Sequence, residues 1–182
     1  MSQVSHEIIM SEEEIKAHVT RLALEIARDH AGKRVMLVFV LRAAVLLAAD
    51  LMAALQETIL TDYTIAFAFV DSYGNGMVSS GEPKVILDPK VRPSEYDVVI
   101  VCDVVKDSGR TQFVVDQRLR EMGAVSVLHL IVALKDRPRK PQYELSVDYL
   151  GQWIPDRFVA GYGTDKAERF RGIRYLFDAT TA

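Results

Sequence analysis

The chain shows two alternating patterns of apolar positions. Short, almost continuous apolar runs such as RVMLVFVL and DVVIVCDV are typical of strands that are buried on both faces of a parallel sheet. Elsewhere apolar residues recur every three or four positions, as at Ile15, Val19, Leu22 and Ile26, which indicates an amphipathic helix. Ser11 and the three glutamates after it resemble a capping box at the start of that helix.

The remaining segments continue the alternation of strands and helices. AAVLLAADLMAALQ and TQFVVDQRLREMG are predicted helices, and the further predicted strands are YTIAFAFVDSY, KVILD, VSVLHLIVAL, VDYLGQWI and RFVAGYG. GNGMVSSGEPK reads as a polar, glycine-bearing loop. The alternation predicts an α/β fold with a mostly parallel central sheet flanked by helices, in a single domain over residues 1–182.

Composition limits the class of protein. The 182 residues are 49% apolar and 26% charged, with a net charge of -3, which argues against disorder, nucleic-acid binding and binding to anionic membranes. The longest apolar stretch contains Arg42 and Asp50, which argues against a membrane span. Cys102 is the single cysteine, and the acidic start lacks the features of a signal peptide. We therefore expect a cytoplasmic protein without membrane attachment.

The segment DSGRT, Asp107 to Thr111, follows the most apolar strand and precedes a helix. Ligands of open α/β sheets bind at the carboxyl ends of the strands. Gly109 permits a tight turn, Ser108 and Thr111 offer hydroxyls, and the helix N-terminus favours an anion. This is suitable chemistry for a phosphate monoester. The alternative is that Asp107 and the upstream Asp103 are only turn and N-cap residues.

VVIVCDVVKDSGRT resembles the phosphoribosyl-pyrophosphate (PRPP) motif of type I phosphoribosyltransferases. The segments VLRAA, VDSYGNGMVSSGEPKVILD and IPDRFVAGYGTDKAERFRG, in this order around it, are similar to the hypoxanthine-guanine phosphoribosyltransferase family. The resemblance implies the type I fold, with a small hood built largely from the C-terminal segment, about residues 145–182.

The resemblance also implies the reaction. A phosphoribosyl group would pass from PRPP to N9 of a 6-oxopurine, hypoxanthine or guanine, giving IMP or GMP and pyrophosphate with the help of Mg²⁺; xanthine is a further candidate substrate. Members of the family are usually homodimers or homotetramers. Two other functions stay open: a regulatory protein that binds PRPP or nucleotide, and a catalytically impaired paralogue.

The family motif assigns roles around the phosphate loop. Asp107 would face the purine near N7 as general base, which requires a raised pKa. Ser108, Gly109, Arg110 and Thr111 would complete the PRPP and 5′-phosphate loop with it. Asp103 would hold the ribose hydroxyls and, through them, the magnesium complex of PRPP.

Further roles follow for the purine and pyrophosphate ends of the site. Lys135 would donate to the purine O6, Phe158 would stack on the base, and the Val159 backbone would read its edge. Asp165, at the purine end, would coordinate a magnesium ion that bridges pyrophosphate. Without the resemblance, these residues would read as solvated charges and core side chains.

Pyrophosphate itself would be gripped by Arg171 and by the turn at Arg42 and Ala43, where the family usually has Leu-Lys-Gly. Arginine keeps the charge and the donors of that turn, whereas alanine makes its backbone harder to accommodate. Ser72 and Tyr73 match the base of the flexible loop that closes over the site.

The chain departs from the family in its PRPP motif. The family usually has two adjacent acids, two apolar residues and then Asp-Thr-Gly, whereas this chain has CDVVKDSG. Counted back from Asp107, Val104 replaces the second acid. Counted from the strand, Cys102 replaces the first acid and Lys106 is extra. One carboxylate is missing in either case, and a lysine enters the anion-binding loop.

Overall fold

The computed structural model describes residues 7–71, 84–88 and 90–181. The elements in chain order are β1 (Ile8–Met10), α1 (Glu12–Asp29), β2 (Val35–Leu41), α2 (Val45–Gln56), β3 (Tyr63–Asp71), β4 (Lys84–Leu87), β5 (Val98–Lys106), α3 (Arg110–Glu121), β6 (Val127–Lys135), β7 (Tyr149–Ile154), β8 (Val159–Ala160) and β9 (Leu176–Asp178). Single turns of 3-10 helix lie at Pro93–Glu95 and Pro141–Tyr143. No helix within these ranges has both the length and the apolar character needed to cross a bilayer.

Six strands form the central sheet, in the order β4-β3-β2-β5-β6-β7. The pairs β2–β3, β2–β5, β5–β6 and β6–β7 are parallel, and only the edge strand β4 runs antiparallel to its neighbour. The prediction of a mostly parallel sheet is confirmed. β2 lies between β3 and β5, so the order of the strands reverses there, and such a reversal places a ligand cleft at the strands' carboxyl ends.

Helices cover both faces of the sheet because its strands are apolar on both sides. On β5, Ile100, Cys102 and Val104 belong to the core shared with α1 and α2. Val99 and Val101 belong to a second core, which α3 covers from the other side. This alternation follows from the two-residue period of a strand.

Helix α1 begins with the capping box expected from its sequence. The Glu14 N–H donates to the Ser11 hydroxyl at 3.2 Å, and the Ser11 N–H donates to the Glu14 carboxylate at 2.7 Å. Such a cap contributes about 1 kcal/mol to helix stability. The four apolar residues that define the helical period are all buried in the first core: Ile15, Val19, Leu22 and Ile26.

A second, three-stranded sheet in the order β1-β9-β8 forms the hood beside the carboxyl ends of the central strands. Its composition differs from the expected one at both ends of the chain. β7 pairs with β6 in the central sheet, so residues 149–154 are not part of the hood. The N-terminal strand β1 joins the hood by pairing with β9.

Candidate active site

The phosphate loop lies where β5 ends and α3 begins. Gly109 is the N-cap of α3 in the left-handed conformation, with φ of +80°, and a methyl group at this position would overlap the Tyr143 carbonyl. Only glycine combines that backbone angle with that approach. The Arg110 N–H donates to the Ser108 hydroxyl at 3.4 Å. The loop therefore presents consecutive N–H groups at a helix N-terminus, an arrangement suited to an anion.

Lys106 is buried beneath this loop and does not extend into it. Its Nζ donates to the Leu145 carbonyl. Burial lowers the pKa of Lys106, with a smaller contribution from the charge of Arg139. The unexpected lysine therefore ties the end of β5 to the segment before β7.

Asp107 lies between two cations. Its carboxylate accepts from Lys135 Nζ at 2.5 Å and from Arg137 Nη1 at 2.6 Å. Burial raises the pKa of Asp107, but the hydrogen bond and charge of Lys135, together with those of Arg137, outweigh it and bring the net pKa below the usual value. The expectation of a raised pKa is therefore wrong, because two cations face a carboxylate that is only partly buried.

Arg139 was not anticipated as a site residue. Its guanidinium donates to the carbonyls of Asp107 at 2.8 Å, Lys106 at 3.2 Å and Lys135 at 2.6 Å. These carbonyls lie at the ends of β5 and β6, so Arg139 holds the two strand ends together. The basic cluster KDRPRK after β6 was the available signal for both Arg137 and Arg139.

Asp103 lies on β5 four residues before Asp107, on the face of the sheet that α3 covers. It is buried and accepts from the Val104 N–H at 2.8 Å and from Gln112 Nε2 at 2.7 Å. Burial raises the pKa of Asp103 to about 7, although both hydrogen bonds act in the opposite direction. The Asp103 carboxyl therefore faces α3, where Gln112 donates to it.

The residues beside Asp103 explain the missing acid. Val104 is fully buried in the core formed with α1 and α2. A carboxylate at that position would lose its hydration without a partner, which costs far more than a valine. Cys102 is also fully buried, and burial raises the pKa of its thiol. A thiol in such an apolar environment is unreactive.

The turn between β2 and α2 carries Arg42 and Ala43. A cis peptide bond joins Leu41 to Arg42. The exposed guanidinium of Arg42 contacts the Glu168 carboxylate at 3.1 Å. Gly163 packs so closely on the turn that a methyl group there would overlap the Ala43 carbonyl. The turn and the hood loop therefore meet directly.

The hood loop brings Asp165 and Arg171 together. Arg171 Nη2 lies 2.7 Å from the Asp165 carboxylate and 3.3 Å from that of Glu168. Arg171 Nη1 donates to the Gly163 carbonyl at 2.9 Å. Because Glu168 also contacts Arg42, this glutamate, which the sequence did not single out, links the two arginines expected at pyrophosphate.

Phe158 and Val159 lie where the hood meets the central sheet. The Phe158 side chain is 49% exposed, so its ring has a free face on which a base can stack. Val159 is buried in β8, and its backbone is placed by pairing with Asp178 of β9. Ser72 and Tyr73, expected in the flexible loop, lie outside the described residues.

The described part of the chain contains no cluster of three or more His, Cys, Asp or Glu side chains that would hold a metal ion by itself. Mg²⁺ usually takes one or two carboxylates and completes its shell with water and substrate phosphates. Asp165 fits that requirement, since its carboxylate is partly exposed beside Arg171. Asp103 fits it less well, because it is buried between β5 and α3.

Sequence comparisons agree with this geometry. Residues 5–167 match the family profile described as the phosphoribosyl transferase domain. The chain is 35% identical to the hypoxanthine-guanine phosphoribosyltransferase of Bacillus subtilis over 169 residues, which cover 93% of this chain and 90% of that protein. The bifunctional protein TilS/HprT of Listeria monocytogenes is also 35% identical over 169 residues, and there the chain spans only 25% of the relative's length.

Solved structures of similar proteins show the same architecture. A hypoxanthine-guanine phosphoribosyltransferase from Bacillus anthracis superposes with a TM-score of 0.81 at 31% identity, covering 94% of this chain and 97% of that one. A hypoxanthine phosphoribosyltransferase from Trypanosoma cruzi, in a ternary complex with substrates, superposes with a TM-score of 0.82 at 27% identity, covering 94% of each chain. On the combined evidence of fold, site and relatives, this chain belongs to the hypoxanthine-guanine phosphoribosyltransferase family and has the type I phosphoribosyltransferase fold.

Proposed function

We propose that this chain is a purine salvage enzyme that transfers the phosphoribosyl group of PRPP to N9 of hypoxanthine or guanine, giving IMP or GMP and pyrophosphate. The observation that carries the proposal is the pairing of Asp107 with Lys135 beside the phosphate loop. This pair places a hydrogen-bond acceptor, Asp107, beside a donor, Lys135, at the ends of the neighbouring strands β5 and β6.

This pair matches one edge of a 6-oxopurine. Such a base presents the O6 acceptor next to an N7–H donor, so Lys135 can donate to O6 while Asp107 accepts from N7. On binding, the base would break the hydrogen bond between Lys135 and Asp107. Two new hydrogen bonds to the base would replace it, in which Lys135 still donates and Asp107 still accepts. Adenine carries an amino donor at position 6, which would face the donors of Lys135 and leave the buried ammonium without an acceptor. A mismatch of this kind is a strong basis for discrimination.

The phosphate loop and the hood would hold the two ends of PRPP. The N–H groups from Ser108 to Thr111 would bind the 5′-phosphate, and Asp103 would serve the ribose hydroxyls once it leaves Gln112. At the other end, the turn at Arg42 and Ala43 would hold pyrophosphate together with Arg171.

Breaking the bond between the sugar and pyrophosphate builds positive charge on the ribose and negative charge on the leaving group. Fixed cations stabilise that separation only if they are placed before the reaction. Arg42 and Arg171 are so placed by Glu168. Mg²⁺, when bound at Asp165 and the substrate phosphates, would supply further positive charge to the departing pyrophosphate. Asp107 would accept the proton that the purine loses.

The chain is also proposed to form a homodimer or homotetramer, as members of the family usually do. Three apolar side chains on β3 and the edge strand β4 support association, since each is at least 36% exposed: Phe67, Phe69 and Ile86. Sedimentation of the purified protein tests this part. A single species at the mass of one chain would contradict it.

One observation favours the second candidate, a regulatory or catalytically impaired protein that binds PRPP or nucleotide. One carboxylate of the family motif is absent, at Cys102 or at Val104, and Asp103 is engaged with Gln112, so the ribose end of the site has fewer free carboxylates than usual. A spectrophotometric assay with PRPP, Mg²⁺ and, separately, hypoxanthine, guanine, xanthine and adenine distinguishes the two functions. We expect turnover with a 6-oxopurine and none with adenine, whereas PRPP binding without turnover on any base would favour the second candidate.

A further inference from the structure

Tyr162 is a fully buried residue of the hood loop. It lies between Gly161 and Gly163, and all three residues have positive φ. Its hydroxyl donates to the Asp50 carboxylate at 2.7 Å. Asp50 is the one charged residue of α2, the helix that begins directly after the turn at Arg42. The hydroxyl therefore connects the hood loop to the helix that carries the pyrophosphate turn.

Arg174 completes this connection from the hood. Its Nη2 contacts both carboxylate oxygens of Asp50, at 2.8 and 3.0 Å, and its guanidinium lies 5.7 Å from the centre of the Tyr162 ring. The three side chains line one side of a cleft of about 360 Å³ between α1, α2 and the hood. Asp50 is thus held in place by two donors that come from the same hood segment.

The main chain next to Tyr162 directly contacts residues that are proposed to bind pyrophosphate. The Gly163 N–H donates to the Arg171 carbonyl at 2.9 Å, and Arg171 Nη1 donates back to the Gly163 carbonyl at 2.9 Å. Gly163 also rests against the Ala43 carbonyl. A shift of the Tyr162 main chain would therefore move Arg171 and the turn relative to each other.

The other two parts of the site have separate supports. β8, which carries Val159, is fixed by its pairing with β9. The end of the phosphate loop is fixed by Arg139 and by Lys106. Neither set of contacts involves Tyr162 or Asp50.

We propose that Tyr162 is a positioning residue for the pyrophosphate end of the site, acting through Asp50 and Arg174 to hold Gly163 and Arg171 against the turn at Ala43. The inference rests on the proposed function for the identity of the ligand. It predicts that the network supports binding of PRPP, which carries a pyrophosphate group, and not binding of a nucleoside monophosphate, which lacks one.

The test compares Tyr162→Phe with Tyr149→Phe by calorimetric binding of magnesium-PRPP and, separately, of IMP. Tyr149 is a matched control, because it is a buried tyrosine whose hydroxyl also has a partner, His30 Nε2 at 2.9 Å, away from the hood. We expect Tyr162→Phe to raise the Kd for PRPP about tenfold and to leave the Kd for IMP within about twofold. Tyr149→Phe should change neither Kd, although both variants lose a buried hydrogen bond and some thermal stability.

Two results would overturn the inference: an unchanged Kd for PRPP in Tyr162→Phe, or equal losses for PRPP and IMP, which would indicate general loosening. Should Tyr162→Phe not fold, Asp50→Ala removes the acceptor from the other side and must give the same selective loss. These binding measurements do not depend on the result of the turnover assay. A wild-type protein that binds PRPP but turns over no purine would refute the proposed function and leave the positioning role testable.

Discussion

The Nζ atom of Lys135 lies 2.5 Å from Oδ2 of Asp107, joining the ends of β5 and β6. The Lys135 side chain is 7% exposed and that of Asp107 is 45% exposed. The cation is thus almost fully buried, and the carboxylate is its accessible partner. A ligand that replaced this bond would need an acceptor for Lys135 and a donor for Asp107.

Asp107→Asn should lower kcat by about 100-fold or more, since the amide cannot accept a proton from the purine. Affinity for PRPP should change by only about threefold, because the loop N–H groups proposed to hold the 5′-phosphate remain. Initial rates at saturating purine, together with calorimetric PRPP binding, measure the two effects separately. Asp156→Asn is the control, as Asp156 also faces Arg137, at 3.5 Å, but makes no contact with Lys135 in the structure. Equal losses of turnover and PRPP affinity in Asp107→Asn would remove Asp107 from the general-base role.

Arg137→Gln should shift the pH dependence of kcat/KM. Asp107 would act as a carboxylate, and its pKa is held low by Lys135 and Arg137 against the effect of burial. The rate should therefore fall only at acidic pH. Without Arg137, Lys135 alone opposes burial, so the pKa of Asp107 rises and the acid limb of the profile moves to higher pH.

The profile is measured with guanine or hypoxanthine as substrate, and Arg157→Gln serves as the control. Arg157 is a similarly exposed arginine, but its partners are Glu7 and Asp178 in the hood. An acid limb that stays in place in Arg137→Gln, or moves equally in both variants, would mean that Arg137 does not act on Asp107.

The fold could be predicted because the strands of a covered parallel sheet are apolar on both faces. β2 and β5 are continuous apolar runs, and α1 shows both its period and its cap. The hood was harder to predict, because β8 and β9 are only two and three residues long. Short strands of this kind owe their existence to partners distant in the chain and not to local pattern. β1, which pairs with β9 across almost the whole chain, gave no local signal.

The site could be predicted in its members but not in its electrostatics. The motif located Asp107 and Lys135, yet the pKa of Asp107 depends on Arg137, 30 residues away. Similarly, the sequence showed that one acid was absent, at Cys102 or at Val104, but the reason is that both residues lie inside the apolar core. Such properties arise from tertiary contacts, which local motifs do not contain.

Asp103→Asn should make the protein less sensitive to pH. The folded protein holds the Asp103 proton with a pKa of about 7, compared with 3.8 for the ordinary carboxyl. Between about pH 4 and pH 7 the unfolded chain has released this proton while the folded chain keeps it, so the free energy of unfolding falls as pH rises and then levels off. Asparagine does not titrate, so the free energy of unfolding of Asp103→Asn should not fall in this way as pH rises.

Urea denaturation at pH 4.5 and at pH 8 measures the effect. The difference in stability between Asp103→Asn and wild type should favour the variant by about 2–4 kcal/mol more at pH 8 than at pH 4.5. Comparing the two pH values cancels any constant cost of the amide in its hydrogen bonds to Val104 and Gln112. A difference that does not depend on pH would show that Asp103 is ionised throughout.

Two glycines of the hood loop should differ in how strongly replacement by alanine destabilises the protein. Gly163 has φ of +91° and abuts the Ala43 carbonyl, whereas a methyl group on Gly172 would meet no atom within 4 Å. Gly163→Ala should lose about 2–4 kcal/mol of stability through backbone strain and overlap, and its PRPP affinity should fall because the pyrophosphate turn is displaced. Gly172→Ala should stay within about 0.5 kcal/mol of wild type, since nothing opposes the added methyl. Thermal unfolding and PRPP binding of both variants measure this, and a Gly163→Ala protein with wild-type PRPP affinity would show that the hood loop can move without affecting the turn.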